Sequence, residues 1–307
     1  MALNKTLPAL KLALIFSAFI VLVLIVGKFS ISKGAPTHAA EQPANEPAQS
    51  PTKNEIIASK EQGTKPLPIT QTKNTIQLPI LMYHHVGPMP ELTKPDPLRT
   101  GLTVSIAHFE EQMVWLSKQG YHSVTLEDIY QYTKKGQKLP TKPIAITFDD
   151  GYDDVFQNAI PILKKYSFTG SFGIITQWPG QQQGTNTYAT WPTIQQAQKA
   201  GMEIICHTQN HFDGSNPKFS AQYIYQNLTG CQQDLGSNLN LTHNHILIYP
   251  YGHYSSVYID QAKKAGFDMA LTVHFGTTLQ LNSLMEMPRV RVNGRESLEK
   301  FIELLSR

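Results

Sequence analysis

The amino-acid sequence predicts an α/β fold in which parallel β-strands alternate with helices. Short apolar runs of strand length alternate with amphipathic stretches of helical length over residues 77–307. The helical stretches carry end signals, among them Thr125 as an N-cap and Gly120, Gly201 and Gly266 just past their ends. Polar residues with catalytic chemistry follow the strands instead of being scattered. This alternation is typical of a parallel sheet, open or closed into a barrel, with helices outside.

The individual elements follow from periodicity and local composition. Strands are predicted at residues 78–83, 143–148, 170–175, 202–206, 245–248 and 269–273. Helices are predicted at residues 106–119, 126–135, 153–166, 192–200 and 256–265. The third helix contains Pro161, so a kink is expected there.

Several predicted strands end in residues that can do chemistry. These are His84 and His85 after the first strand, Asp149 and Asp150 after the second, His207 after the fourth, Tyr251 and His253 after the fifth, and His274 after the sixth. The C-terminal ends of parallel strands form the active-site face of β/α folds. The pattern therefore predicts one site assembled from several loops.

Composition limits the class of protein. The chain has 307 residues, of which 41% are hydrophobic, with 26 Lys and Arg against 23 Asp and Glu. The net charge is only +3 and no run of basic residues exceeds two, which excludes the dense basic face of a nucleic-acid binder. Two cysteines exclude a disulfide scaffold.

The N-terminal region predicts export and a membrane anchor. Residues 12–27 form an uncharged apolar run between Lys11 and Lys28. A signal-anchor over residues 1–29 is favoured, with a cleaved signal peptide as the alternative, because no small-residue cleavage site follows closely. We expect a single-pass cell-membrane protein with its catalytic domain on the extracytoplasmic side, periplasmic or extracellular.

A linker and one folded domain follow the anchor. Residues 30–76 are rich in Pro and Gln with few aliphatic side chains, so they cannot bury enough apolar surface to fold. Residues 77–307 form the predicted catalytic domain. The two cysteines in it, Cys206 and Cys231, are either buried thiols or a disulfide formed outside the cytoplasm.

Three residues offer the ligands of a metal site. His207 and His211 are four residues apart, the spacing at which one helical turn brings two imidazoles to one side. With one carboxylate from Asp149-Asp150 they make a three-ligand site with an open position, and the other carboxylate stays free as a base. Adjacent carboxylates suit glycoside hydrolysis poorly. Asp-His-His suits zinc first, with cobalt, nickel or iron as alternatives.

Three motifs, in this order and spacing, resemble those of the polysaccharide deacetylases, the NodB-like family-four carbohydrate esterases. They are the segments 147–152 (TFDDGY), 207–211 (HTQNH) and 249–252 (YPYG). The resemblance implies a deformed (β/α)7 barrel. It also implies a divalent metal bound by Asp150, His207 and His211, and Asp149 as the catalytic base.

The opening segment 81–86 (LMYHHV) resembles a subset of the family with circularly permuted motifs, which includes poly-β-1,6-N-acetylglucosamine deacetylases. That resemblance implies His84 as the general acid, with His85 and the late His274 as alternatives. The arginine that usually precedes the third motif is missing, because Ile248 and Tyr249 stand there. Arg289 or Arg291 could replace it; the alternative is an exposed strand arginine.

These observations predict a metal-dependent N-deacetylase of an N-acetylglucosamine polymer. Asp149 would accept the proton of the attacking water, the backbone N–H of Tyr251 would help to hold the oxyanion, and His84 would protonate the leaving amine. The alternatives are a peptidoglycan or chitin-oligomer deacetylase, an O-acetyl esterase, and a non-catalytic polysaccharide-binding domain. Loops 87–101 and 177–191, the latter with Trp178, would shape the groove. Polymer linkage, protein partners and oligomeric state stay open.

Overall fold

The computed structural model describes residues 74–90, 97–242 and 244–307. Its strands are β1 Thr75–Gln77, β2 Ile80–Tyr83, β3 His85–Val86, β4 Thr103–Val104, β5 His122–Ser123, β6 Pro143–Phe148, β7 Ser171–Ile174, β8 Gln182–Gln183, β9 Asn186–Thr187, β10 Glu203–Cys206, β11 Ile246–Ile248, β12 Met269–Phe275, β13 Thr278–Gln280 and β14 Met287–Arg291. Its helices are α1 Pro97–Leu102, α2 Ile106–Lys118, α3 Leu126–Lys135, α4 Asp153–Lys165, α5 Trp191–Lys199, α6 Ala221–Leu239, α7 Ser256–Lys264 and α8 Leu298–Leu305.

Seven of the strands close into a parallel barrel. Their order around the barrel is β2, β14, β12, β11, β10, β7 and β6, and β6 pairs again with β2 to complete the ring. This confirms the barrel that the family resemblance implied and decides between the open and closed alternatives. All six predicted strands are in the ring. The seventh, β14, was not among them.

Side chains of the barrel strands alternate between two environments, as the period of two in a β-strand requires. Ile80 of β2 belongs to an apolar cluster inside the barrel that also contains Ala145 and Met287 from the two neighbouring strands. The next residues outward, Leu81 and Tyr83, belong to the cluster between barrel and helices. β2 and β6 are buried at every residue, on both faces, which explains their nearly continuous apolar sequences.

The five predicted helices are all present, and each end lies within one residue of the prediction. At α3, the Thr125 side chain accepts a hydrogen bond from the Asp128 backbone N–H, and the Asp128 carboxylate accepts one from the Thr125 backbone. This capping box satisfies donors that the first helical turn leaves unpaired. Gly136 ends the helix in the left-handed conformation (φ 69°). Pro161, where a kink was expected, lies inside α4, which continues to Lys165.

The N-terminal predictions fall mostly outside the described residues. The predicted anchor (1–29) and the predicted linker up to residue 73 belong to the part that is not described. Among the described residues, no helix has the length and apolarity needed to cross a membrane. The last two residues of the predicted linker, Thr75 and Ile76, belong to β1, which pairs antiparallel with β13.

A disulfide joins barrel and helix layer on one side. Cys206, the last residue of β10, is bonded to Cys231 of α6, and both are fully buried. Of the two alternatives for the cysteines, the structure has the disulfide. It connects the end of β10, directly before His207, to a helix that was not predicted from the sequence.

Candidate metal centre and active site

The C-terminal ends of the barrel strands bring the predicted site residues to one mouth. His84 directly follows β2, Asp149 and Asp150 follow β6, and His207 follows β10. Because all seven strands run in the same direction, these strand ends open on the same side of the barrel. The predicted convergence of the loops is therefore observed.

Asp150, His207 and His211 form a compact cluster of possible metal ligands. Each offers one donor atom, and the three atoms lie within 4.8 Å of one another. Nε2 of His207 lies 3.1 Å and Nε2 of His211 3.3 Å from Asp150 Oδ1. The Nδ1–H of His207 donates to the Ile248 carbonyl oxygen at 2.8 Å, which points Nε2 at the cluster.

The two histidines reach the cluster by a loop, so the expected helical turn between them is wrong. Thr208 (φ 66°) and His211 (φ 58°) both have left-handed backbone, which few residues other than glycine adopt. The Thr208 hydroxyl accepts from the His211 N–H at 3.0 Å, and Asn227 of α6 accepts from the Gln209 N–H at 2.9 Å. The loop is thus fastened both to itself and to α6.

A glycine in β7, Gly173, allows the Ile248 side chain to pack closely beside His207. A Cβ on Gly173 would lie 2.9 Å from the Ile248 side chain and 3.4 Å from His207 Cβ. The first distance is too short for a real contact, so a side chain here would displace its neighbours at the level of the cluster. Gly173 therefore contributes to the site by its missing side chain.

The chemistry of the donor set fits a divalent cation. Burial by itself would raise the pKa of Asp150, but hydrogen bonds from His207 and His211 outweigh it and hold that pKa well below its usual range. The same contact with Asp150 raises the pKa of His207 against the effect of its burial. The protonated imidazole thus stabilises the negative charge of Asp150, as a bound cation would. One carboxylate with two imidazoles is also a donor set that zinc accepts.

Asp149 is paired with Arg289 and not with Arg291. The Arg289 guanidinium donates from Nη1 to Oδ1 at 2.7 Å and from Nη2 to Oδ2 at 2.8 Å of Asp149. Arg289 is fully buried, and its Nε donates to the Thr272 carbonyl oxygen. Burial would raise the pKa of Asp149, but the charge and hydrogen bonds of Arg289 lower it. The carboxylate is therefore ionised and held in one orientation.

The three candidate acids lie in different places. His84 lies at the mouth, where burial lowers its pKa to about 4 although the charges of Asp149 and Asp150 oppose the shift. His85 is buried outside the cluster, with Nδ1 2.8 Å from an Asp154 oxygen. His274 is exposed near the end of β12, with its ring 6.1 Å from that of Tyr254. Position favours His84.

Aromatic rings line the approach to the cluster. Tyr251 has left-handed backbone (φ 59°), is 56% exposed and has its ring 4.5 Å from that of His211. The Trp178 ring lies 5.8 Å from His211 on another side and 5.0 Å from Tyr188. His253, also predicted near the site, is exposed and pairs with Asp213 at 3.3 Å.

Sequence reasoning missed the residues that support the site from behind. Tyr152 stacks on His85 with ring centroids 3.7 Å apart, and the charge of Asp150 adds to the raising of the Tyr152 pKa, after the larger effect of burial. Arg99 of α1 donates to Asn186 and to Asp154 and so joins the two loops predicted to shape the groove. The only signal for Tyr152 was its place beside the Asp-Asp-Gly segment, and nothing in the sequence pairs Arg99 with residues so distant.

The fold and the site together define an α/β barrel hydrolase whose mouth can hold a divalent cation. The sequence profile of the family described as "Polysaccharide deacetylase" matches residues 136–270. That range contains the three possible ligands, Asp149 and Tyr251, and it excludes His84 and Arg289. Residues 136–270 therefore form a polysaccharide deacetylase domain, and this family consists of hydrolases that act on the amide bonds of N-acetylated polysaccharides.

Curated relatives carry related names. YxkH of Bacillus subtilis (strain 168), provisionally named a polysaccharide deacetylase, is 27% identical over 83% of this chain and 85% of its own. A poly-β-1,6-N-acetyl-D-glucosamine N-deacetylase of Staphylococcus aureus (strain MRSA252) is 27% identical over 62% of this chain and 68% of its own. The one of Escherichia coli (strain K12) is 24% identical over 66% of this chain, and the match spans only 35% of that protein.

Solved structures share the fold. The deacetylase PplD of Streptococcus pyogenes superposes with a TM-score of 0.66 at 24% identity, over 74% of this chain and 97% of its own. IcaB of Ammonifex degensii gives a TM-score of 0.65 at 22% identity, over 75% and 97%. At these identities the likeness is one of fold.

Proposed function

We propose that this protein is a metal-dependent N-deacetylase of an N-acetylglucosamine polymer, with poly-β-1,6-N-acetylglucosamine as the first candidate. One observation carries the proposal: the Asp150, His207 and His211 donors converge at the barrel mouth beside Asp149, which Arg289 holds in place. The early His84, typical of the permuted subset, and the names of the curated relatives support this choice of polymer.

Asp150, His207 and His211 would hold the cation, for which zinc is the first candidate and cobalt, nickel and iron are alternatives. When bound, such a cation polarises the acetyl carbonyl and makes water more acidic. The adjacent residues Asp149 and Asp150 then have separate roles. Asp150 faces the two imidazoles, whereas Asp149 faces Arg289.

Asp149 would take the proton of the attacking water. Arg289 donates one hydrogen bond to each carboxylate oxygen, and each oxygen retains a second lone pair that can accept a proton. The low pKa of Asp149 keeps it ionised before the reaction. The oxyanion would be held in part by the backbone N–H of Tyr251, on the loop that faces His211.

His84 would deliver a proton to the leaving amine nitrogen as the C–N bond breaks. Because burial holds its pKa near 4, His84 is neutral at pH 7 before the reaction. The proton that it passes on is then the one removed from water, received by way of Asp149. The balance is one water consumed and one acetyl C–N bond broken, with acetate and a free amine as products.

We also propose that the enzyme works outside the cytoplasm, tethered by its N-terminal segment. The apolar run 12–27 and the linker composition support the tether. The buried Cys206–Cys231 disulfide supports the compartment, because such bonds persist where the surroundings are oxidising.

The test is acetate release by the full chain from N-acetylglucosamine oligomers of β-1,6 and β-1,4 linkage, each with and without chelator. We expect chelator-sensitive release with preference for the β-1,6 oligomer. Preference for the β-1,4 oligomer would move the assignment to a chitin-like or peptidoglycan substrate. No release from either by metal-loaded protein would contradict the proposed reaction.

A further inference from the structure

Strand β14 carries two arginines on one face. Val290 packs in the cluster between barrel and helices, whereas Met287 packs inside the barrel. Arg289 and Arg291 alternate with Val290 and share the face of Met287. Residues two apart in a strand leave it on the same side. Arg289 reaches inward to Asp149, so Arg291 faces the barrel axis as well, one step nearer the mouth.

The strand register places Arg291 next to the candidate acid. Arg291 pairs with Met82 of β2, and the Val292 N–H donates to the Met82 carbonyl oxygen at 3.1 Å. Ile80, Met82 and His84 follow one another on the inward face of that chain segment. In agreement, the positive charge of Arg291 adds to the lowering of the His84 pKa, after the larger effect of burial.

The two arginines differ in what surrounds their charge. Arg289 is fully buried, and its guanidinium donates hydrogen bonds to the Asp149 carboxylate, the Thr147 hydroxyl and the Thr272 carbonyl oxygen. Arg291 is exposed and makes no hydrogen bond or ion pair with any described residue. The two carboxylates beside it are already paired, Asp149 with Arg289 and Asp150 with the imidazoles. A cationic hydrogen-bond donor therefore faces the groove beside the reacting centre.

Building on the proposed deacetylase function, we propose that Arg291 determines specificity for the sugar next to the one being deacetylated. A guanidinium donates to an acetyl carbonyl or hydroxyl oxygen and repels an ammonium group. Arg291 therefore selects an N-acetylated neighbour and rejects a glucosamine neighbour. Since each turnover converts a neutral unit into a cationic one, the enzyme leaves a polymer whose free amines are spaced apart.

The test compares a fully acetylated trimer with the same trimer carrying glucosamine at one end or the other, at about pH 6, where a sugar amine is protonated. For the full-chain wild type, we expect kcat/KM about tenfold higher on the acetylated trimer than on at least one of the glucosamine trimers, the effect of one screened like-charge contact. In R291Q, kcat/KM should fall on the acetylated trimer and rise on the disfavoured glucosamine trimer, so that the two values approach each other. R291K keeps the charge and should keep most of the preference.

Salt supplies a readout that a structural role of Arg291 would not give. Raising the ionic strength from about 0.05 to about 0.5 M should reduce the preference of the wild type and leave R291Q unchanged. An equal preference in wild type and R291Q, or an equal loss by R291Q on all trimers, would overturn the inference.

Binding of the same trimers to the chelator-treated full chain separates the two hypotheses, because it needs no turnover. Tighter binding of the acetylated trimer without any acetate release by the metal-loaded protein would retain the role of Arg291 and contradict the proposed reaction. Acetate release with equal rates and equal binding for all trimers would retain the reaction and remove the role of Arg291.

Discussion

The two ends of the barrel each bring a histidine together with carboxylates, and only one end suits a metal. At the mouth, Nε2 atoms of His207 and His211 converge on one oxygen of Asp150. At the opposite end, before β11, His245 uses both ring nitrogens, with Nε2 2.6 Å from Glu127 and Nδ1 3.2 Å from Asp268.

The geometry of these contacts explains the difference. The two nitrogens of one imidazole point apart, so the carboxylates bound by His245 lie on opposite sides of its ring. Tyr130 also donates to Asp268 at 3.1 Å, and its ring meets that of His245 edge to face. A bridge between surface carboxylates stabilises the fold, whereas donors that meet at one point can bind a cation. Residue type alone therefore does not identify a metal site.

The largest expected effect is at the mouth. H207A removes one of three converging donors, and we expect zinc affinity to fall about 100-fold or more, with a parallel loss of acetate release. Isothermal titration of metal-stripped protein measures the affinity. H245A is the matched control, because it removes an equally buried histidine between carboxylates and should leave zinc affinity unchanged. Equal losses in the two variants would contradict the distinction between the two ends.

R289Q should also have a large effect, because it leaves the buried carboxylate of Asp149 without its cation. We expect a loss of about 3–5 kcal/mol in the free energy of unfolding and a fall in kcat. Urea denaturation gives the first quantity and acetate release the second. The control is R291Q on the same strand, whose exposed side chain should cost little stability. A stable R289Q with normal kcat would show that neither folding nor catalysis needs the Arg289–Asp149 pair.

The affinity for zinc should depend moderately on pH and should only increase as the pH rises. Because contact with Asp150 raises the pKa of His207 above its ordinary value of 6.5, a proton competes with the cation at and below that raised pKa. Affinity should therefore rise with pH, about tenfold per unit below the raised pKa, and level off above it. Titrations in buffers of different ionisation enthalpy count the released proton. Affinity that is flat from about pH 5 to 8 would contradict the assignment.

The smallest effect is expected at the opposite end. H245A leaves Glu127 and Asp268 without their shared partner, but both carboxylates are partly exposed and water can replace the contact. We expect a loss of about 1–3 kcal/mol in stability and no change in the kcat of acetate release. Thermal unfolding measures the first and steady-state kinetics the second. A loss of kcat at constant stability would indicate coupling between the two ends.

Element prediction succeeded where the pattern was local and failed where packing decided. β6 runs over the predicted residues 143–148 because its apolar run is bounded by Pro143 and the Asp-Asp-Gly turn. β14 was missed because Pro288 and two arginines interrupt its apolar pattern. α6 was missed because it contains Gly230, yet a Cβ there would lie 2.4 Å from the Gln209 side chain. Gly230 is therefore explained by the close approach of the loop that carries His207 and His211.

The sequence by itself determined the strand–helix alternation, the place of polar residues after strands and the residue types available for a metal. These are local properties, set by backbone periodicity and side-chain chemistry. Only the tertiary structure decided that Arg289 and not Arg291 pairs with Asp149, that His207 and His211 meet through a loop, and that His245 is a bridge. Each of these depends on contacts with residues distant in the chain, such as the contact of Asn227 with Gln209 in the His207–His211 loop. These contacts form only when the barrel and its helices pack, so the sequence carries no local signal for them.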